Sequence, residues 1–380
     1  MDEKLKILVG LALSLLVLGA CASNAGQETV ISVEAPEPTN TIQPAQTTPN
    51  DSSFERDFST TSHEDDVLIG AYFYPWYDGT RHVHWENHPY LSTPLLGEYT
   101  SRDELVINQQ IDWAAGHGVD FFIASWWGRF DPTDSAIKAF SQAELADEIQ
   151  FTIIYESFGL LLVDTNGEID LSNPINKEQL VSDFSYLATT FFQNPNYLTV
   201  DGKPVVVLYL SRIFVGNITE AFDAARAAVK DATGQDVFIL GDEVWWQEPE
   251  ESRLSLYDGI TGYIMHSWDQ AILDNFNAEV EAHYEKWAQA AQSAGIYFVP
   301  GVIPGFDDRG YDPISITPPI PRSLELFEAQ LRTGLSMASG DLPMILITSW
   351  NEWHEDTTIE PAETYGFTYL DVLQSVLDER

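Results

Sequence analysis

Pro343-Met-Ile-Leu-Ile-Thr-Ser-Trp-Asn-Glu-Trp-His-Glu-Asp-Thr-Thr-Ile-Glu-Pro361 is the stretch that decides the fold. Its first half, Pro343 to Thr348, has no polar alternation, which is how a strand buried on both faces reads. Such strands belong to parallel sheets wrapped by helices, and in those folds the active site lies at the strands' carboxyl ends. Its second half places two carboxylates, Glu352 and Glu355, at such an end, among tryptophans and hydrogen-bonding side chains. One carboxyl to protonate a leaving oxygen and a second to act as base or nucleophile is what glycosidic bond cleavage requires.

Working outward, similar apolar runs recur at Val67 to Tyr77, Val119 to Trp127, Phe151 to Glu156, Pro204 to Leu210, Val237 to Gly241, Gly259 to Met265, Ile296 to Ile303 and Met344 to Ser349. Between them lie helical periods such as Leu180, Phe184, Leu187 and Phe191. Eight alternating strand and helix units predict an α/β protein, a single (β/α)8 barrel of the TIM type over residues 67–380. An open doubly wound sheet is the other arrangement the alternation allows, without the Gly-x-Gly-x-x-Gly phosphate turn of its nucleotide-binding version. Ser101-Arg-Asp-Glu104 has the spacing of a capping box at the start of the first helix, and Ser323 stands at the start of the seventh.

The amino-terminal part reads differently. Lys4 and Lys6 precede an apolar run from Ile7 to Ala20 that is short for a bilayer span, and the run ends at Leu18-Gly-Ala-Cys21. This resembles a bacterial lipoprotein signal over residues 1–20, with Cys21, the only cysteine, as the lipidated residue. Residues 21–66 are rich in Thr, Ser, Pro and Asn and predict a disordered tether. The expected location is the cell envelope, with membrane contact only through the lipid anchor.

Charge narrows the partners. Lys plus Arg number 18 against 59 Asp plus Glu, a formal charge of -41, which opposes nucleic acid and anionic lipid. A neutral oligosaccharide or polysaccharide fits, and we expect a monomer. The strand ends are aromatic and acidic: Tyr72, Tyr74, Trp76 and Tyr77 after the first strand, Trp126 and Trp127 after the second, Tyr155 and Glu156 after the third, Tyr209 and Arg212 after the fourth. Asp242, Glu243, His266, Trp268, Asp307, Asp308 and Arg309 follow on strands five to seven, and Asn351 joins Glu352 on the eighth. Aromatic faces stack on sugar C–H faces, while carboxylates, Arg and Asn bond the hydroxyls. His82, His84 and His88 cluster after strand one, but their spacing does not match a helix-borne metal pair, so neither metal nor cofactor is expected.

Three segments are similar to glycoside hydrolase family 99, the endo-acting α-mannosidases. They are Gly70-Ala-Tyr-Phe-Tyr-Pro-Trp-Tyr77 with His84-Trp-Glu-Asn-His-Pro89, Pro304-Gly-Phe-Asp-Asp-Arg309, and Trp350-Asn-Glu-Trp-His-Glu355 with Thr358-Ile-Glu-Pro361. The resemblance implies a metal-free (β/α)8 barrel that cleaves internal α-mannosidic linkages with retention, the substrate's own 2-hydroxyl attacking to form a 1,2-anhydro sugar. By position, Glu352 would activate that hydroxyl and Glu355 would serve as acid and base. Glu156 and Arg309 would hold the sugar, Tyr74, Trp126 and Tyr209 would shape the subsite, and Trp76, Trp127, His84 and Asn351 would line it. Asp356 departs from the family, which commonly has Gly there; its charge either raises the proton affinity of Glu355 or points away. Related domains also occur in polysaccharide assembly as transferases, and a glycan-binding lipoprotein or a transglycosylase on the same barrel remains open on the residues alone. Turnover is expected to survive exhaustive EDTA treatment; a loss restored by one added divalent ion would overturn the metal-free expectation.

Overall fold

The computed structural model describes residues 54–61, 67–77, 85, 90–338 and 342–380. The signal, Cys21, most of the tether and His82, His84 and His88 lie outside the described residues. Among those described, no helix is long and apolar enough to cross a membrane.

All eight expected strands form and lie parallel: β1 Leu68–Phe73, β2 Phe121–Trp126, β3 Gln150–Tyr155, β4 Lys203–Leu208, β5 Phe238–Asp242, β6 Gly259–Thr261, β7 in two pieces, Tyr297–Val299 and Gly301–Val302, and β8 Met344–Ile347. Pro300, which has no N–H to donate, divides β7. The first piece pairs with β6 through Tyr297 and Gly259, and the second with β8 through Gly301 and Leu346. With Leu68 against Met344 joining β1 to β8, the ring closes and the open-sheet arrangement is excluded. Gly70 of β1 is a packing requirement, since a Cβ there would stand 2.3 Å from the Phe121 ring.

Each strand is followed by a main helix, α1 Glu104–Gly116, α2 Pro132–Phe140, α3 Pro174–Thr190, α4 Ile218–Thr233, the single turn α5 Glu251–Leu254, α6 Phe276–Ala294, α7 Leu324–Met337 and α8 Thr368–Asp378, with short helical turns at Ser157–Leu160 before α3 and Gln270–Asp274 before α6. Prolines open α2 and α3 behind Asp131 and Asn173 caps, and Ser323 caps α7 as expected. The cap of α1 is Asp103, whose side chain accepts from Leu105 N–H, and not Ser101. Ser101 instead accepts from the Tyr77 N–H at 3.1 Å, and the helix starts two residues later than the capping-box spacing implies. Between sheet and helices, Phe73 stacks on Phe122 with centroids 4.9 Å apart, and Phe140 of α2 covers both.

Ordered structure reaches further back into the tether's composition than Val67. Arg56 Nε meets Asp112 Oδ1 of α1 at 2.9 Å, and the Asp57 N–H donates to Asp112 Oδ2 at 2.8 Å. Phe58 packs on His117 and Phe367, and Thr61 N–H donates to the Ala115 carbonyl at 2.9 Å. Polar contacts along its length and one aromatic anchor hold a segment whose composition reads as coil. Because these partners sit at the carboxyl end of α1, the segment lies on the barrel face opposite the strand carboxyl ends. Asp112 is fully buried, so Arg56 neutralises a charge that water cannot reach. A chain starting at Arg56 should melt like the longer protein, whereas one starting at Val67 should lose roughly 3 to 5 kcal/mol, as removal of one partner of a buried pair does. Denaturant unfolding of the two truncations checks this, and equal stability would refute it.

Candidate active site

The chain after β8 folds back on itself and holds the two acids rigidly. Ser349 N–H donates to the Thr357 carbonyl at 2.8 Å, Thr358 Oγ1 donates to the Trp350 carbonyl at 2.6 Å, and Thr348 Oγ1 donates to the Tyr263 carbonyl at 2.8 Å. Glu352 starts from the floor of this loop, where its N–H donates to Ser349 Oγ at 2.8 Å. Its Oε1 lies 3.2 Å from both the backbone N–H and the ring Nδ1 of His354, a ring flanked by Tyr77 and Tyr311.

Glu355 is placed by a second loop. Its carbonyl accepts the Asp307 N–H at 2.8 Å, tying the loop after β7 to the loop after β8. Its Oε2 is buried without a hydrogen-bond partner. Burial drives its proton affinity well above the ordinary carboxyl range, and the charges of Glu352, Asp308 and Glu156 push it further, while the Tyr263 hydroxyl opposes them. The environment of Glu355 therefore favours its protonated form, next to Glu352.

Glu156 arrives from the end of β3. Ser125 Oγ donates to its Oε1 at 2.6 Å and in turn accepts from Trp127 Nε1 at 2.9 Å. Burial pushes Glu156 up to about 8, with Glu352 and Asp242 adding to the rise and Ser125 opposing it. Tyr74 Oη bonds Tyr263 Oη, Tyr209 meets Tyr263 edge-on at 5.5 Å, and the Glu355 charge acts on all three hydroxyls. Trp76 packs at 4.5 Å from Tyr74 and 6.2 Å from Trp127, continuing an aromatic wall. Gly159 lets that wall close, because a Cβ there would come within 2.4 Å of the Trp127 ring. The barrel thus brings Tyr74, Trp76, Trp127, Glu156, Tyr209, Glu352 and Glu355 to one mouth.

Other expectations need correction. Trp126 is fully buried, donates from Nε1 to Asp134 Oδ1 at 3.0 Å and lies between Tyr155 and Tyr186. Side chains alternate along a strand, so with Ser125 and Trp127 facing the mouth, Trp126 must face the helices. Asn351 is also not a sugar contact. Its Oδ1 accepts the Tyr74 N–H at 2.7 Å and its Nδ2 donates to the Tyr74 carbonyl and Tyr99 Oη, so its amide clamps the end of β1 to the end of β8. Arg309 is exposed and bonded to Asp307 Oδ1 at 2.7 Å, on the rim. Glu243 is locked by both Arg253 nitrogens, Ser211 and Tyr257, which removes it as a candidate nucleophile.

Asp356 has φ of +51°, in the left-handed region that favours glycine. Its carboxylate points to Arg322 and not to Glu355, while the Arg322 guanidinium stacks over Tyr365 and Tyr369. Of the two readings of this departure, pointing away is the one the geometry supports.

One residue of the mouth escaped the sequence reading. Tyr263 was hidden inside the apolar run expected to continue to Met265, but β6 ends at Thr261 and leaves Tyr263 at the mouth. Asp308, one of the expected strand-end acids, is half-buried with its Oδ1 enclosed and unpartnered. Among the described residues, no group of three or more His, Cys, Asp or Glu is disposed to hold a metal ion.

A family model described as Glycosyltransferase WbsX matches residues 59–373. The chain belongs to the WbsX family. This WbsX-family chain is also 23% identical to the glycoprotein endo-alpha-1,2-mannosidase of Rattus norvegicus over 348 residues, covering 80% of the chain and 70% of the relative. The Xenopus laevis enzyme of the same name is 22% identical over 352 residues, covering 80% and 73%. In three dimensions the WbsX-family barrel is similar to a glycoside hydrolase-like protein, with TM-score 0.68, 20% identity and coverage of 84% and 96%. It is similar as well to the GH99 endo-alpha-mannosidase from Bacteroides thetaiotaomicron, with TM-score 0.64, 19% identity and coverage of 82% and 97%. The likeness in structure gives the (β/α)8 fold.

The acid at Glu156 makes a stability prediction with a definite sign. Its folded value, about 8, lies above the ordinary 4.5, so between these the folded state binds the extra proton and stability falls as pH rises. Glu156→Gln mimics the protonated form, so it should match the parent near pH 4 and exceed it above pH 8, by about 5 °C or more in Tm. Thermal melts across pH check this; parallel curves would refute it.

Proposed function

We propose that this WbsX-family protein is a retaining, endo-acting glycoside hydrolase that cleaves internal α-mannosidic linkages of a neutral glycan. The observation that carries the reading is the pair of acids on one loop beside the aromatic wall: Glu352 fixed through Ser349, and Glu355 with a buried, unpartnered Oε2 in surroundings that favour its proton. Two carboxyls at one bond can divide acid and base work between them, and the one whose surroundings favour its proton suits the acid part. Of the acids that could supply a separate protein nucleophile, Glu243 is engaged by Arg253 and Asp307 by Arg309, while Glu156 is bonded by Ser125.

In the first step Glu352 takes the proton of the substrate's 2-hydroxyl, whose oxygen attacks the anomeric carbon. The glycosidic C–O bond breaks, and the leaving oxygen takes the proton of Glu355. Water then attacks the anomeric carbon of the 1,2-anhydro sugar, giving its proton to Glu355, while Glu352 returns its proton to the 2-oxygen. Two inversions give net retention, and both acids end as they began. A sugar hydroxyl in place of water would make the same site a transferase, the reading that the family's description favours. The relatives' names favour water. Size-resolved products from α-mannan oligosaccharides, with and without added acceptor, separate the two.

Export and anchoring through Cys21 are part of the proposal and rest on the sequence, with the glycan outside the cell and the domain monomeric.

Glu352→Gln and Glu355→Gln should fail differently. Glu355→Gln should regain activity on a mannoside with a good leaving group, where protonation matters little, by about 10²-fold relative to its activity on a glycan. Glu352→Gln should stay inactive on both, and a 2-deoxy substrate should not turn over. Normal cleavage of the 2-deoxy substrate, or a glycosyl ester trapped on any carboxylate, would sink the internal-nucleophile mechanism.

A further inference from the structure

The acids around the mouth fall into two groups. Asp242 meets Arg212 at 2.7 Å, Glu243 meets Arg253 at 2.8 Å, Asp307 is gripped by Arg309, and Asp356 lies 3.9 Å from Arg322. Glu352 has the ring of His354. Glu156, Glu355 and Asp308 form no ion pair among the described residues. Glu156, Glu352 and Glu355 take part in the site already described, and Asp308 has no assigned part.

Asp308 is held in place. Ser315 Oγ donates to its Oδ2 at 2.7 Å, and its Oδ1 is buried with no partner. The Asp307 N–H bond to the Glu355 carbonyl, 2.8 Å, fastens the adjoining residue to the catalytic loop. Arg309 feels the charge of Asp308 but turns its guanidinium to Asp307. A half-buried carboxylate that is pinned, has one oxygen enclosed, forms no ion pair among the described residues and stands beside a general acid opposes a second negative charge there.

We propose that Asp308 is a positioning residue for the acid step, a fixed and uncompensated charge that keeps the proton on Glu355. The proposal rests on Glu355 being the acid. Facing Glu355 are Glu352 on its own loop, Asp308 from the loop after β7, Glu156 from β3, and the hydroxyls of Tyr263, Tyr209 and Tyr74 from the ends of β6, β4 and β1. Asp308 itself faces Asp307, Asp312, Ser315 and Arg309. Burial raises Asp308 as well, with Ser315 opposing it, and Glu355 is the one driven well above the usual range.

The test is the pH profile of kcat/KM on an α-mannan oligosaccharide for the parent, Asp308→Asn and Asp308→Glu. Asp308→Asn should move the alkaline limb down by about one unit, the size of effect that one neighbouring carboxylate exerts. Asp308→Glu, which keeps the charge, should restore the limb. On an aryl mannoside with a good leaving group, the limb should not move. An unmoved limb in Asp308→Asn, or an equal loss at every pH, would overturn the proposal. Should Asp308→Asn not fold, Asp308→Ser is read in the same way. Leaving-group rescue in Glu355→Gln tests the acid assignment separately: with rescue present and the limb unmoved, only the part given to Asp308 fails.

Discussion

A carboxyl buried without a counterion keeps its proton, and the mouth of this barrel is arranged around that constraint. Arginines are present, but they are spent on Asp242, Glu243, Asp307 and Asp356, at the edges of the site. At the centre, buried Glu156 and half-buried Glu355 and Asp308 stand near Glu352, and their mutual repulsion opposes ionising them together. The same repulsion that costs stability above the ordinary carboxyl range favours a proton donor. A chain with 59 acidic and 18 basic residues has few cations to waste, so their absence here is consistent with the whole composition.

Holding like charges together requires a rigid frame, and the frame comes from the seam between β8 and β1. Asn351 uses its carbonyl and its amide nitrogen to join Tyr74 and Tyr99, while Ser349 and Thr358 close the loop beneath Glu352. Asp356 turns the chain in the left-handed region and hands its charge to Arg322, which lets an acid stand where the related family commonly has glycine. On the opposite face, Arg56 to Thr61 anchor onto α1. Function and stability are thus divided between the two faces of the barrel, as this architecture allows.

The sequence by itself determined the barrel and the heart of the site. Uninterrupted apolar runs can only be strands buried on both faces, and eight of them separated by 3.6-residue periods leave few arrangements. Glu352 and Glu355 were readable because they follow such a run directly, and Ser323 because a cap acts locally. What only the tertiary structure decided is which way side chains point and what they meet. Trp126 and Trp127 are indistinguishable as letters, yet strand alternation sends one to the helices and the other to the mouth. Asn351 next to a catalytic candidate suggested sugar binding, whereas its partners lie some 250 to 277 positions away in the chain. The proton affinities of Glu156 and Glu355 belong to this second class as well. They arise from burial and from charges gathered from β3, β7 and β8, and no local stretch contains that sum.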